Sequence, residues 1–293
     1  MPAVRPMEAV DAAVCATLWA TAFGEMRARL SLPVPAPDPQ ERDRHGRRIA
    51  LLVGTDPGGS WVAEADGELL GFVQAFRRDR LWVLSLFAVA PAAQGTGLGR
   101  ELLGRALAYG DPSDPGLIVS SRDPRAIGSY VAAGFALHPT VVAVGVLRRP
   151  DLPAPSTSVR TGGPTDVGIL ADLDRRLRGA RRGPELEAFL GEPGYHLLLA
   201  GPDRAPTGYA LARPTGLAAM AAADEDTART LLAAALAGTA PGTTVDVNWM
   251  TAGQQWAIGL CVGLGLRLHP SGALMIRGRP GPLTPYLPSG SYA

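Results

Sequence analysis

The chain has 293 residues, enough for two domains that each bury a core, with 46% hydrophobic and 19% charged residues and a net charge of +1. No apolar run is long enough to cross a bilayer, and the basic residues, all 28 of them arginine, are spread along the chain, so the composition indicates neither a membrane nor nucleic acid as partner. The first residues lack the pattern of an export signal, and Cys15 and Cys261 lie far apart in apolar stretches, which reads as buried free thiols and a cytoplasmic location.

In chain order, residues 4–6 read as an edge strand and residues 9–30 as a helix broken at Gly24. Residues 30–48 are polar and proline-rich, and read as a long irregular loop of the kind that carries function. Strands are expected at 60–65, 69–77 and 81–89, joined through an Asp66-Gly67 turn into an antiparallel meander. A helix over 99–109 stops at Gly110, a short strand covers 117–121, and a helix over 125–133 is opened by Asp123-Pro124 and closed by Gly134. A last β-branched strand spans 140–147.

Residues 148–158 hold three prolines and few apolar side chains, as an interdomain linker does. The chain then starts over. Val159-Arg160 repeats Val4-Arg5, followed by a helix at 165–178, strands at 195–200 and 208–212, a helix at 227–238, a strand at 244–248, a helix at 254–262 and a strand at 273–277. Setting Leu102-Leu103 against Leu231-Leu232 brings Gly134-Phe135 and Gly265-Leu266 nearly into register, so we read an internal duplication. The expected domains are 1–149 and 159–279, with a linker at 150–158 and a tail at 280–293.

The most informative stretch is Gln94-Gly95-Thr96-Gly97-Leu98-Gly99-Arg100, set between an apolar strand and a helix. Glycines at a strand-to-helix junction leave main-chain N–H groups unpaired at the positive end of the helix dipole, where a phosphate binds well. The dinucleotide fingerprint needs its third glycine one place later, and a nucleotide P-loop needs a lysine that this chain lacks.

What remains, Q-x-x-G-x-G after a strand ending in Val89 and Pro91, resembles the acyl-CoA pyrophosphate loop of the GNAT superfamily of N-acyltransferases. Asp123 to Phe135, with Ala126, Tyr130, Gly134 and Phe135 in place, resembles the second signature of that family, Asp123 standing where relatives have asparagine. The resemblance implies an α/β fold of two tandem GNAT units, each a mostly antiparallel sheet with one splayed parallel pair. It implies acetyl-CoA as co-substrate, with no metal. It implies that the amides of Gln94, Gly95, Thr96, Gly97, Leu98, Gly99 and Arg100 hold the pyrophosphate, and that Phe87, Ala88 and Val89 pair with the pantetheine arm. Asp123 and Ala126 would line the cofactor, the Val89 N–H would polarise the thioester carbonyl, and Tyr130 would protonate the departing thiolate.

The base is less plain. Many relatives carry a glutamate eleven residues before the loop glutamine, where this chain has Val83. Trp82 and Ser85 lie nearby as acceptor-side residues, Glu25 is one candidate base, and the Ala293 carboxylate of the apolar tail is another. In the second repeat Asp224, Glu225 and Asp226 stand where the pyrophosphate would lie, and Cys261 stands opposite Tyr130, so that copy is expected to be degenerate. The three acids also suit plain helix capping. The four histidines show no metal spacing, and Trp249, Gln255 and Trp256 are either acceptor-pocket or core residues.

The expected activity is acyl transfer from acyl-CoA, most readily acetyl-CoA, to a primary amine of a small molecule, in a monomer or a homodimer. A peptide amine remains open as acceptor. The alternatives are a catalytically silent CoA-binding module and an acyl-CoA lyase or decarboxylase on the same fold.

Overall fold

The computed structural model describes residues 2–36, 38–290 and 292–293; Met1, Pro37 and Ser291, which fall in the expected first domain, loop and tail, lie outside the described residues. The chain is α/β and separates into two compact units, residues 1–77 with 82–114, and residues 78–81 with 115–293.

The first unit contains β1 (Ala3–Pro6), α1 (Ala12–Arg29), α2 (Pro39–Thr55), β2 (Ser60–Ala65), β3 (Glu68–Arg78), β4 (Leu81–Val89) and α3 (Leu98–Leu107), with the strands side by side in sequence order. β2 pairs antiparallel with β3 and β4 lies beside β3, in the order of the expected meander, and β1 adds to it by antiparallel pairing with β2. Helix α1 runs through Gly24 without a break, because one glycine costs a helix only about 1 kcal/mol.

Residues 30–48 are not wholly a loop. Helix α2 begins at Pro39, its first turn capped by the Asp38 carboxylate, which accepts from the Gln40 N–H at 2.9 Å. Arginines and acids cover most of its surface, and only a narrow stripe through Arg48, Ile49 and Leu52 is buried, which is why its period is faint in the sequence. Ile49 joins Cys15, Ala16, Val62, Phe72, Leu86 and Ala88 in the core of this unit.

The second unit contains β5 (Gly116–Ser120), α4 (Pro124–Ala132), β6 (Ala136–Val146), β7 (Val159–Gly162), α5 (Ala171–Arg178), α6 (Pro184–Leu190), β8 (His196–Ala200), β9 (Gly208–Arg213), β10 (Gly216–Ala222), α7 (Glu225–Ala237), β11 (Thr244–Met250), α8 (Gln255–Gly263), β12 (Arg267–Arg277) and β13 (Tyr286–Leu287). Its strand order is β5-β12-β6-β11-β10-β9-β8-β7, with β13 on β10. A core of Met220, Leu231, Leu232, Leu236, Val245, Val247, Trp256 and Cys261 lies beneath α7 and α8.

Taken in chain order, β7 to β12 repeat the element series of β1 to β6. The repeat extends to side chains. Arg5 pairs with Asp11, whose carboxylate also accepts from the Glu8 N–H at 2.8 Å, and Arg160 pairs with Asp166, whose carboxylate accepts from the Gly163 N–H at 2.9 Å. Each arginine holds its aspartate below the usual carboxylate range.

The units do not divide at the proline-rich segment as the sequence suggests. β12, the last strand of the second repeat, pairs antiparallel with β5 on one side and β6 on the other, while β6, the last strand of the first, pairs with β11. Strand exchange therefore gathers β5, α4 and β6 into the second unit. The expected linker is fixed too. Arg149 donates to the Ala237 carbonyl at 3.0 Å, and the Ser156 and Thr230 hydroxyls bond at 2.8 Å.

Candidate active site

In the first unit the candidate site is built where β4 ends. Neighbouring residues of a strand present their N–H groups to opposite edges. The Ala90 N–H returns to β3, donating to the Leu70 carbonyl at 2.8 Å, so the Val89 and Phe87 N–H groups face the other edge. Gly71 on β3 allows the close packing this needs, since a Cβ there would lie 3.2 Å from the Ala88 carbonyl oxygen and 2.9 Å from the Leu102 side chain.

The loop beyond is closed by its own side chains. Gln94 donates from Nε2 to the Val89 carbonyl at 3.0 Å, and the Thr96 hydroxyl donates to the Ala93 carbonyl at 2.8 Å. Gly95 (φ 81°) and Gly97 (φ 92°) are left-handed, which side-chain-bearing residues adopt at a cost of about 1–2 kcal/mol. Gly97 sits at the N-cap of α3 with no side-chain cap, and the first amide bonded back along the helix is that of Glu101, to the Gly97 carbonyl at 3.2 Å. The amides of Leu98, Gly99 and Arg100 thus have no acceptor within the helix, and Gly95, Thr96 and Gly97 are exposed beside them. This arrangement suits an anionic diester.

In the second unit Asp123 caps α4, accepting from the Arg125 N–H at 3.0 Å, and Ala126 is half-buried on the following turn. Tyr130 is buried, and desolvation, aided by the charge of Asp123, pushes its phenol above the usual range. The phenol stays protonated at any physiological pH. Phe135 is buried too, its ring under the Arg277 guanidinium at 5.1 Å.

The acceptor-side residues separate. Trp82 is fully buried, its indole N–H donating to the Ala106 carbonyl at 2.9 Å; it is a core residue, not a pocket wall, since strand alternation turns it under α3. Val83 is fully buried as well. Glu25 is exposed on α1. Ser85 is buried and accepts from Arg48, its hydroxyl lying 3.1 Å from Nε and 3.0 Å from Nη2, while its carbonyl also accepts from Nη2.

Arg48 and its neighbour His45 are sequence omissions, hidden because residues 30–48 read as loop; the His45, Arg48, Ile49, Leu52 spacing is the signal that would have found them. His45 stacks on Trp19 with ring centroids 3.9 Å apart, and Trp19 stacks on Phe23 at 4.4 Å. Burial, and then the charge of Arg48, holds the imidazole at about 4, with its Nδ1–H on the Glu41 carbonyl at 2.8 Å.

The second repeat lacks the loop. Residues 90–97 join β4 to α3, but only Ala223 and Asp224 join β10 to α7. Asp224 is the N-cap, accepting from the Thr227 N–H at 2.7 Å and its hydroxyl at 3.0 Å. Cys261 is buried, its thiol pushed up to about 12. Trp256 belongs to the core and Gln255 is exposed; Trp249 lines a pocket of about 130 Å³ with Arg213, Asn248, Ser289 and Gly290.

The base role expected of Ala293 meets a cation instead. Ala293 is buried in the second unit and its oxygen accepts from the fully buried Arg182, which also donates to the hydroxyls of Tyr209, at 2.5 Å, and Tyr286. A guanidinium on that oxygen stabilises negative charge and weakens it as a proton acceptor.

Residues 23–135 match the acetyltransferase (GNAT) family. A mycothiol acetyltransferase of Streptomyces avermitilis is 36% identical over 91 residues, and one of Streptomyces coelicolor 34% over 91 residues; each match spans 29% of this chain and 29% of the relative. The fold extends over the whole chain. A Pyrococcus horikoshii protein proposed to be an acetyltransferase superposes with a TM-score of 0.78 at 18% identity, over 100% of this chain and 96% of its own. A tandem GNAT protein from the clavulanic acid biosynthesis pathway does so with 0.55 at 16%, over 94% and 98%. Among the described residues no helix is long and apolar enough to cross a membrane.

Proposed function

We propose that the chain is an N-acetyltransferase that moves the acetyl group of acetyl-CoA to a primary amine of a small molecule, with its first repeat as the working copy. The observation that carries this is the end of β4, where the Ala90 N–H bonds back to β3 and the Val89 N–H therefore faces the other edge, close in sequence to a run of exposed glycine amides at the start of α3. The loop supplies N–H donors for the pyrophosphate, and the β4 edge supplies strand-like partners for the pantetheine amides. The amine attacks the thioester carbon and the carbonyl oxygen becomes an oxyanion that accepts from the Val89 N–H. Collapse breaks the C–S bond, and the thiolate takes the phenol proton of Tyr130.

Most of the rate then comes from alignment, which suits a strand that has no carboxylate at Val83. The amine attacks in its neutral form, the ammonium of the tetrahedral adduct then gives one proton to water, and the Tyr130 phenolate regains its proton from solvent before the next turnover. Ala126, by its match to the family signature, and Asp123, by its position where relatives have asparagine, are assigned to the cofactor at the start of α4.

The test is release of free thiol from acetyl-CoA across a panel of amines. A mycothiol precursor belongs in that panel, because two relatives are named for acetylating mycothiol. Amine-dependent release with a stoichiometric amide product supports the transferase. Amine-independent release identifies the lyase, and binding without release identifies the silent module that the missing carboxylate at Val83 would permit.

A further inference from the structure

β10 has two edges, and β9 takes one of them along its whole length, from Gly216 opposite Arg213 to Ala222 opposite Gly208. β11 and β13 therefore share the other. β11 holds it only at Gly216, opposite Asp246. Beyond that single pair the two parallel strands part, and β13 enters the gap with Leu287 opposite Met220 and Tyr286 opposite Ala221, touching β11 as well.

The phase of the hydrogen bonds identifies which atoms meet there. At the end of β4, Ala90 bonds back to β3 and Val89 faces the other edge. At the end of β10, the Ala223 N–H bonds back to the Thr207 carbonyl at 2.7 Å, and the Ala222 N–H faces the other edge, where it donates to the Pro285 carbonyl at 3.1 Å. Ala222 thus occupies in the second repeat the place of Val89 in the first. At the adjoining helix start, the Asp224 carboxylate takes the Thr227 amide that a phosphate would otherwise meet.

We propose that the segment 284–287 is a built-in replacement for acyl-CoA in the second repeat. Its backbone takes the place of the pantetheine arm, the Pro285 carbonyl that of the thioester carbonyl, and the Asp224 carboxylate that of the pyrophosphate. The second cleft is a peptide groove filled in cis, closed to the co-substrate, and its occupant fastens the tail to the sheet. The correspondence rests on the reading of Val89 given under Proposed function. The segment is firmly placed. Tyr286 and Leu287 are buried, the Leu283 N–H donates to the Leu177 carbonyl at 2.9 Å, and Gln254 donates to the Leu283 carbonyl at 2.8 Å.

The experiment is run on the full-length chain with a protease site inserted between the exposed residues Gly278 and Arg279. After cleavage the peptide 279–293 is expected to stay with the body through gel filtration, to remain there in excess acetyl-CoA, and to exchange with a labelled synthetic copy of itself. Release of the peptide by acetyl-CoA overturns the proposal.

Hydrogen exchange on the uncut chain covers the case in which cutting unfolds it. Acetyl-CoA should slow exchange over 94–100 and leave 217–223 unchanged. Protection or loosening of 217–223, or a stoichiometry of two acetyl-CoA per chain, overturns it. No protection anywhere would instead count against the reading of the first repeat, while retention of the cut peptide still reports on the second.

Discussion

At the level of single residues, two substitutions separate binding from chemistry. Tyr130→Phe keeps the ring that fills the buried site on α4 and removes the proton given to the thiolate, so kcat should fall roughly 10²-fold or more with KM for acetyl-CoA little changed. Steady-state kinetics with thiol detection reads both constants. Gly97→Ala acts on the other side. No atom lies within 4 Å of the added Cβ, so the fold has room for it, but φ at 92° is one that alanine resists by about 1–2 kcal/mol. Relief of that strain would swing the loop amides, and acetyl-CoA binding measured by calorimetry should weaken about tenfold or more with the melting temperature nearly unchanged. The motif implies that the Gln94 amide meets the pyrophosphate, yet that amide donates to the Pro91 carbonyl at 3.3 Å and the side chain to the Val89 carbonyl, so Gln94 closes the loop. A motif shows which residues recur and leaves open which of their atoms fasten the loop.

Individual elements differ in how plainly the sequence announces them. β3 and β4 are visible as near-continuous apolar runs buried on both faces, and α3 because its buried positions, Leu98, Leu102, Leu103 and Ala106, recur at helical spacing. Helix α2 is hidden because so little of it is buried, and with it go His45 and Arg48. β10 escapes notice because alanine and glycine carry no strand signal, and α6 because it is only seven residues long. The two hidden residues on α2 make a pH-dependent contribution whose sign is fixed. His45 titrates near 4 in the folded chain and near 6.5 when unfolded, so the unfolded chain binds the proton first as pH falls. Its contribution is fully present above about 6.5 and is lost on descending to about 4, a change of about 2–3 kcal/mol. Urea unfolding of the chain and of His45→Gln between pH 4 and 7 should show the native protein losing that much more stability than the variant. On α7, Asp224→Ala should cost about 1 kcal/mol of stability by loss of the cap, and should add no acetyl-CoA binding, because Pro285 still occupies the Ala222 amide.

For the molecule as a whole, the duplication could be read from matched leucines and glycines, whereas the exchange of final strands could not. Hydrophobic periodicity tells that a segment is a strand and which face is buried, but the choice of neighbour is settled by long-range pairing that leaves no local trace. The second repeat as cut from the sequence, residues 159–293, would therefore lose the strand on one edge of β11 and both neighbours of β12, since β6 pairs with the first and β5 and β6 with the second. It would also lose Leu147 and Leu152, which pack on the core around α7 and α8, and the bond from Ser156 to Thr230. Bare apolar strands of this kind invite aggregation. A fragment starting at 159 should show no cooperative urea transition by circular dichroism and should precipitate, while one starting at 115, which restores β5 and β6 to β12 and β6 to β11, should unfold cooperatively. A soluble, cooperatively unfolding 159–293 would mean that β12 can turn back on β11 within one repeat, and that the exchange is an ornament of the tandem chain instead of a condition for folding its second half.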